Sequence, residues 1–329
     1  MKLNVMYRKM KCAVVFAALI PALALAQQNY PDKPIRLVVP YAPGGNTDIL
    51  ARTVGQRITE NWGTPVVVDN RGSASGVAAA EISARSAPDG YTVFVGSTRE
   101  MAVNPHLFKK LPYNVQRDFL PVTQGTITPI LIAVHPSMPV RSMKEFVDYA
   151  KKQPGGGVPY GSPGTGTPMH LSGELLNLLT GLKAIHVAYK GGGPASFALV
   201  SGQEVKIAYL GMGPAVPHVK SGRIRPLALT IPKRAALLPD VPTMMELGYK
   251  DFDTSIWFAF FLPTGTPQVI AKKLNTEINR VLQLKEVVDF LTSTGVEIDP
   301  GTPEALRKTL ASDTVKYGKL VKAANIMPQ

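Results

Sequence analysis

Cysteine is nearly absent: the 329 residues include one, Cys12. It lies between a basic head (Lys2, Arg8, Lys9, Lys11) and the apolar run 13–25, and Ala24-Leu25-Ala26 fits a small-x-small cleavage pattern. This reads as a secretory signal, 1–26, cut after Ala26, because the run is short for a bilayer crossing; an uncleaved anchor is the competing reading. Cys12 stands too far from the cut to be a lipoprotein cysteine. From Gln27 onward the chain has no thiol, which excludes disulfides, thiolate metal sites and a cysteine nucleophile. No later stretch approaches a membrane span in length. About 300 residues must therefore be held by an apolar core, and that is enough chain for two α/β domains.

Acid is scarce beside base, 23 residues against 36, for a formal charge of +13; losing the four basic residues of the signal leaves +9. Such a balance attracts nucleic acid or an anionic membrane. The Lys and Arg are scattered, however, without a block of five or six like charges. A solvated basic surface that gathers small anions is the simpler reading, and no nucleic-acid partner is expected.

Catalytic signatures are missing too. Gly72-Ser73-Ala74-Ser75-Gly76 misplaces its serines for a nucleophile elbow. His106, His135, His170, His186 and His218 are isolated, without an H-x-x-x-H pair, and read mostly as surface or strand-end residues. Gly164-Thr165-Gly166 lacks the third glycine of a dinucleotide loop, and no P-loop motif occurs. No catalytic residue, metal or cofactor is expected. A secreted α/β hydrolase or lyase stays open as the alternative and requires a titratable cluster in a cleft.

What is present is an alternation of strand and helix. Strands are expected at 35–40, 66–68, 91–96, 127–134, 183–189, 205–210, 224–230 and 256–262. Helices are expected at 48–61, 77–85, 214–221, 267–283, 285–294 and 303–325, with a further one opened by Thr167 and Pro168 and stopped by Gly181. Ser142 with Glu145 forms a capping box. The rhythm implies a mainly parallel sheet covered by helices. The apolar strands 127–134 and 256–262 read as two crossings between domains, 27–130 with 252–329 and 131–251, a hinge-bending topology. One continuous sheet is the rival.

Two loops stand out. Tyr41-Ala42-Pro43-Gly44-Gly45-Asn46-Thr47-Asp48 follows a strand and opens a helix, as does Tyr160-Gly161-Ser162-Pro163-Gly164-Thr165-Gly166-Thr167-Pro168-Met169-His170. Free N–H groups at a helix start beyond a strand's carboxyl end suit an anion. Asp48 orders the first loop or holds a bridging water; the hydroxyls and glycines of the second admit a ligand close to the backbone. Simple tight turns are the plainer use of such glycines.

The first loop with Ala51-Arg52, then Val67-Val68-Asp69-Asn70-Arg71, Pro88-Asp89-Gly90-Tyr91, Asn104-Pro105, the second loop, Ala188-Tyr189-Lys190-Gly191, Leu238-Pro239-Asp240-Val241-Pro242-Thr243 and Pro263-Thr264-Gly265-Thr266-Pro267 resemble the Bug family. These are periplasmic solute-binding proteins of tripartite tricarboxylate transporters. The resemblance covers essentially the whole mature chain. It implies a type II Venus-flytrap fold with two crossovers and a central cleft, a small organic carboxylate as ligand, a two-component membrane permease as partner, and a monomer. Carried over residue by residue, it implies a ligand gripped by Tyr41, Pro43, Gly44, Gly45 and Asp48 on one side. Ser162, Pro163, Gly164, Thr165 and His170 stand on the other.

Two departures from the family pattern bear on specificity. Ser97-Thr98 runs into Arg99-Glu100 where small polar residues are usual, Lys206 stands where an aspartate is common, and Gly211-Met212-Gly213 replaces a more polar stretch. Ser97 and Thr98 are expected at the ligand, Arg99 on its distal acid group and Met212 on an apolar wall of the cleft. A surface ion pair is the plainer role for Arg99. The carboxylate's identity, and transport as against signalling, lie beyond the sequence.

Overall fold

The apolar runs separate into two sheets in the computed structural model, which describes residues 30–72, 75–250 and 252–328. The signal segment 1–26 and residues 73 and 74 of the glycine-rich turn lie outside the described residues. The first lobe opens with β1 (Ile35–Val39), α1 (Asn46–Trp62), β2 (Val66–Asn70), α2 (Val77–Ala84) and β3 (Thr92–Ser97). A π-helical turn (Arg99–Val103) and two single-turn helices, α3 (Asn104–Leu107) and α4 (Val115–Asp118), lead into β4 (Phe119–Thr128). The second lobe comprises β5 (Ile130–Val134), α5 (Met143–Lys151), β6 (Tyr160–Ser162), α6 (Pro168–Thr180), β7 (His186–Ala188), α7 (Gly192–Ser201), β8 (Ile207–Gly211), α8 (Met212–Lys220) and β9 (Arg225–Leu229). The chain then returns through β10 (Ile256–Pro263), α9 (Gln268–Leu282), α10 (Lys285–Ser293), β11 (Glu297–Ile298) and α11 (Pro303–Ala323).

The sheets are ordered β11-β4-β10-β3-β1-β2 and β7-β6-β8-β5-β9. The expected mainly parallel sheet is corrected to two mixed ones. β1 runs parallel to β2 and β3, and β6 to β7 and β8, as strand–helix alternation requires. β10 and β5, however, are antiparallel to their neighbours. β4 leads out to the second lobe and β10 re-enters from it, so each meets its sheet from the opposite end. The expected strand 127–134 is divided at Pro129, between β4 in one sheet and β5 in the other. Pro129 has no N–H for a ladder, so a strand changes sheets there at little cost.

Helix ends follow their chemistry. Ser142 caps α5, accepting from Glu145 N–H, while the Glu145 carboxylate accepts from Arg141 N–H at 2.7 Å. Thr167 caps α6, which opens on Pro168 and stops at Gly181 with φ +71°.

The lobes share packing through α11. Trp257 on β10 donates from Nε1 to Asp313 at 2.7 Å, and His106 Nε2 meets the Thr314 carbonyl at 2.8 Å. Tyr317, Leu320 and Val321 belong to a buried cluster that continues into Leu171 and Leu175 of α6. A second contact joins the lobes at Gly295, just before β11. A Cβ at Gly295, whose φ is +89°, would lie 2.9 Å from the Met212 Cβ and 3.1 Å from Gly213 N.

Candidate functional site

The first loop is shaped from within by one carboxylate. Asp48, in the first turn of α1, accepts from Gly44 N–H at 2.9 Å, Arg52 Nε at 2.9 Å and Asn70 Nδ2 at 2.9 Å. Burial pushes this carboxyl up, and the bonds from Arg52, Gly44 and Asn70 outweigh it, leaving it below the ordinary aspartate value. Gly44 holds φ +92°, a left-handed conformation natural to glycine. Pro43, Gly44 and Gly45 are exposed, with open space where Cβ atoms of the two glycines would stand. No side chain caps α1 at Gly45, so no capping side chain takes up the N–H groups that open that helix, an end that favours an anion.

At the end of β3, Tyr41 and Ser97 both turn onto Glu100. Ser97 donates to Glu100 Oε2 from its N–H (2.9 Å) and its hydroxyl (2.7 Å), and the Tyr41 hydroxyl donates to Oε1. Burial raises the Glu100 carboxyl while these bonds lower it, with a net rise. Arg99 follows a different course. Its Nε is buried and has no hydrogen-bond partner among the described residues, against the surface ion pair entertained above.

Arg99 lines a cavity of about 260 Å³ with Ser75, Leu107, Phe108, Thr165, Gly166, Ile326 and Met327. Residues of both lobes thus meet around it; a Cβ on Gly166 would fall 2.8 Å from Leu107 Cδ1. Its lining mixes the polar Ser75, Arg99 and Thr165 with the apolar Leu107, Phe108, Ile326 and Met327.

The second loop rests on a histidine stack that the sequence did not disclose. His170 lies 3.7 Å from His186, centroid to centroid, with ring planes 18° apart. His170 Nδ1 accepts from Gly166 N–H at 3.0 Å, which fixes its proton on Nε2, 3.8 Å from Glu174. His186 Nε2 lies 2.7 Å from Ser162 Oγ, and the Tyr160 hydroxyl donates to Glu174. Burial, then the neighbouring His186, lowers His170 to about 3; burial lowers His186 to about 4. So depressed, His186 is a poor base for the buried Ser162 hydroxyl, which is already shared with the Gly164 carbonyl.

Two expectations are corrected. Thr98 is fully buried, and its hydroxyl oxygen accepts from Trp257 N–H at 2.9 Å, so it joins β3 to β10 instead of facing the cleft. Met212, 1% exposed, opens α8 and drops into the second lobe's core beside Leu131 and Leu229. The readings of His170 and His186 as isolated residues give way to the stack. Tyr160, Glu174, His186 and Glu100 were missed as parts of the site; the strand expected at 183–189 held the one available cue, a polar His186 facing inward. The cavity unites Arg99 with Thr165, whereas Pro43–Gly45 stand outside it. Among the described residues no group of three or more His, Cys, Asp or Glu could hold a metal, and no helix is long and apolar enough to cross a membrane.

Residues 50–326 match the family described as tripartite tricarboxylate transporter family receptor. The chain is 36% identical to Protein BugT of Bordetella pertussis over 303 residues, 92% of each chain. The structure of Rpa4515 of R. palustris with adipate is similar at 34% identity and a TM-score of 0.78, covering 92% of this chain and 100% of that one. MatC from Rhodopseudomonas palustris, solved with bound malate, is similar at 31% identity and a TM-score of 0.72, covering 89% and 100%.

Proposed function

Because the chain belongs to the tripartite tricarboxylate transporter receptor family, we propose that it captures a small organic carboxylate in the periplasm by hinge closure and delivers it to a two-component membrane permease. The family and fold are those of periplasmic solute-binding proteins, not of enzymes. The moving bodies are 27–130 with 252–329, and 131–251, and the receptor works as a monomer without a cofactor.

One ligand carboxylate sits on the open N–H groups of the first loop, with Tyr41, Pro43, Gly44, Gly45, Asp48 and Ser97 shaping that side. Ser162, Pro163, Gly164 and Thr165, braced by His170, close from the other. The observation that carries this reading is the unpartnered Nε of Arg99 in a cavity shared with Thr165 of the opposite lobe. Arg99 is half-buried, and a buried Nε–H without an acceptor is unfavourable, which a ligand's distal acid group relieves. Adipate and malate, named for two structural relatives, are dicarboxylates and support a ligand of that size.

The test is thermal unfolding of the protein from Gln27 against a panel of small carboxylates. A ligand at about 100 times its Kd stabilises the folded state by roughly 2.7 kcal/mol, a shift of several degrees or less in a chain of this size. A selective shift without turnover of the acid supports the receptor. Turnover of the acid, or a flat response across mono-, di- and tricarboxylates, overturns it.

A further inference from the structure

Arg99 and Glu100 are neighbours of opposite charge that serve different ends. Glu100 gives both oxygens to neutral donors, the N–H and hydroxyl of Ser97 and the hydroxyl of Tyr41. Three donors on two oxygens suit an ionised carboxylate. A backbone N–H with two hydroxyls at a strand's carboxyl end is also a donor set that would hold a ligand's carboxylate. Here a side chain of the protein already fills it.

Glu100 lies close to the cavity. A Cβ on Gly76 would fall 2.4 Å from Glu100 Oε1, and the preceding residue, Ser75, lines the cavity with Arg99 and Thr165. The Ser75–Gly76 backbone therefore stands between the buried Glu100 carboxyl group and the ligand's space. Leu107, Phe108 and Ile326 supply the apolar side of that space.

We infer that Glu100 is a built-in carboxylate occupying an anion seat just behind the Ser75–Gly76 wall of the cleft, and that it restricts the ligand to a short dicarboxylate with an apolar spacer, rejecting tricarboxylates. The inference rests on the receptor reading above. Two acid groups find donors, one at the first loop and one at Arg99. A third meets the negative charge of Glu100 where its donors would have been, and like charges at close range disfavour binding.

Calorimetric titration with glutarate and tricarballylate, which is glutarate bearing a third carboxyl on C3, isolates that difference. The wild-type protein is expected to bind glutarate at least tenfold more tightly. Glu100→Ala is expected to shrink the ratio at least tenfold by vacating the seat. Should Glu100→Ala fail to fold, Glu100→Gln, of similar shape and without the charge, is expected to shrink it as well. A wild-type preference for tricarballylate, or a ratio unchanged in the variants, overturns the inference. A separate arm needs neither acid: sodium acetate, against sodium chloride at equal ionic strength, is expected to raise the Tm of Glu100→Ala and not of the wild type. Equal midpoints in the two salts show that no carboxylate seat was opened and overturn it too. If the wild type binds neither acid, the receptor reading fails, while the acetate arm still decides whether Glu100 fills an anion seat.

Discussion

The stacked histidines make stability fall in mild acid, by an amount the structure sets. His170 is held at about 3 in the folded chain, against 6.5 when unperturbed. Between those values the unfolded chain binds a proton that the folded one refuses. The stabilisation is therefore complete above pH 6.5 and is lost as the pH falls toward about 3. Moving from pH 7.5 to 5 costs about 2 kcal/mol from His170 alone, since one pH unit is about 1.4 kcal/mol per differential proton. His186, half-buried, adds a smaller amount because solvent screens it. Urea unfolding at the two pH values, in the wild type and in His170→Asn, measures this. The asparagine keeps an acceptor near the position of Nδ1 for Gly166 N–H and removes the titration, while carboxylates elsewhere titrate alike in both proteins. The wild type is expected to lose about 2 kcal/mol more than the variant. Equal losses would refute the account of the stack.

Arg99→Ala is expected to raise the Kd for the preferred carboxylate about 10- to 100-fold, the worth of a charged hydrogen bond; an unchanged Kd removes Arg99 from the site. Gly173→Ala in α6 would place a Cβ 2.3 Å from the Tyr160 ring. Despite the better helix propensity of alanine, it is expected to cost about 1–3 kcal/mol in denaturant titrations and to disturb the histidine stack. Asp48→Ala leaves Gly44 N–H, Arg52 and Asn70 without their shared acceptor; about 1–3 kcal/mol of stability and part of the ligand affinity should go with it. Retention of wild-type affinity in Asp48→Ala would show that the first loop orders itself without that carboxylate.

How much of this was legible in sequence depended on whether the signal was local. α6 announced itself through Thr167, Pro168 and Gly181, and α5 through Ser142 and Glu145, because a cap is satisfied within one turn. The role of Asp48 in ordering its loop was legible for the same reason. The antiparallel entry of β10 was not, since strand direction depends on which end of the sheet the chain returns to. Nor was the stack of His170 on His186, 16 positions apart and brought together only by β6 pairing with β7. Thr98 and Met212 were placed at the ligand from the family pattern of their segments, which carries no sign that Thr98 bonds the β10 backbone or that Met212 packs in the second lobe's core. Arg99 and Glu100 stood out as unusual, but their opposite fates depend on where Ser97 and Tyr41 point their donors.

The close approach at Gly295 sets a limit on motion. Its backbone meets Met212 and Gly213 of the other lobe with no room for a methyl group, and backbone against backbone does not compress. If the lobes close as proposed above, this junction would be a fixed end-stop. On the receptor reading proposed above, the shape reached at that stop would be set by the protein and not by whatever it holds, and a partner recognising that shape would meet the same surface with every ligand short enough to let the stop engage. On the same reading, a ligand too long for the cleft would hold that junction apart, and discrimination by length would become a matter of whether delivery begins.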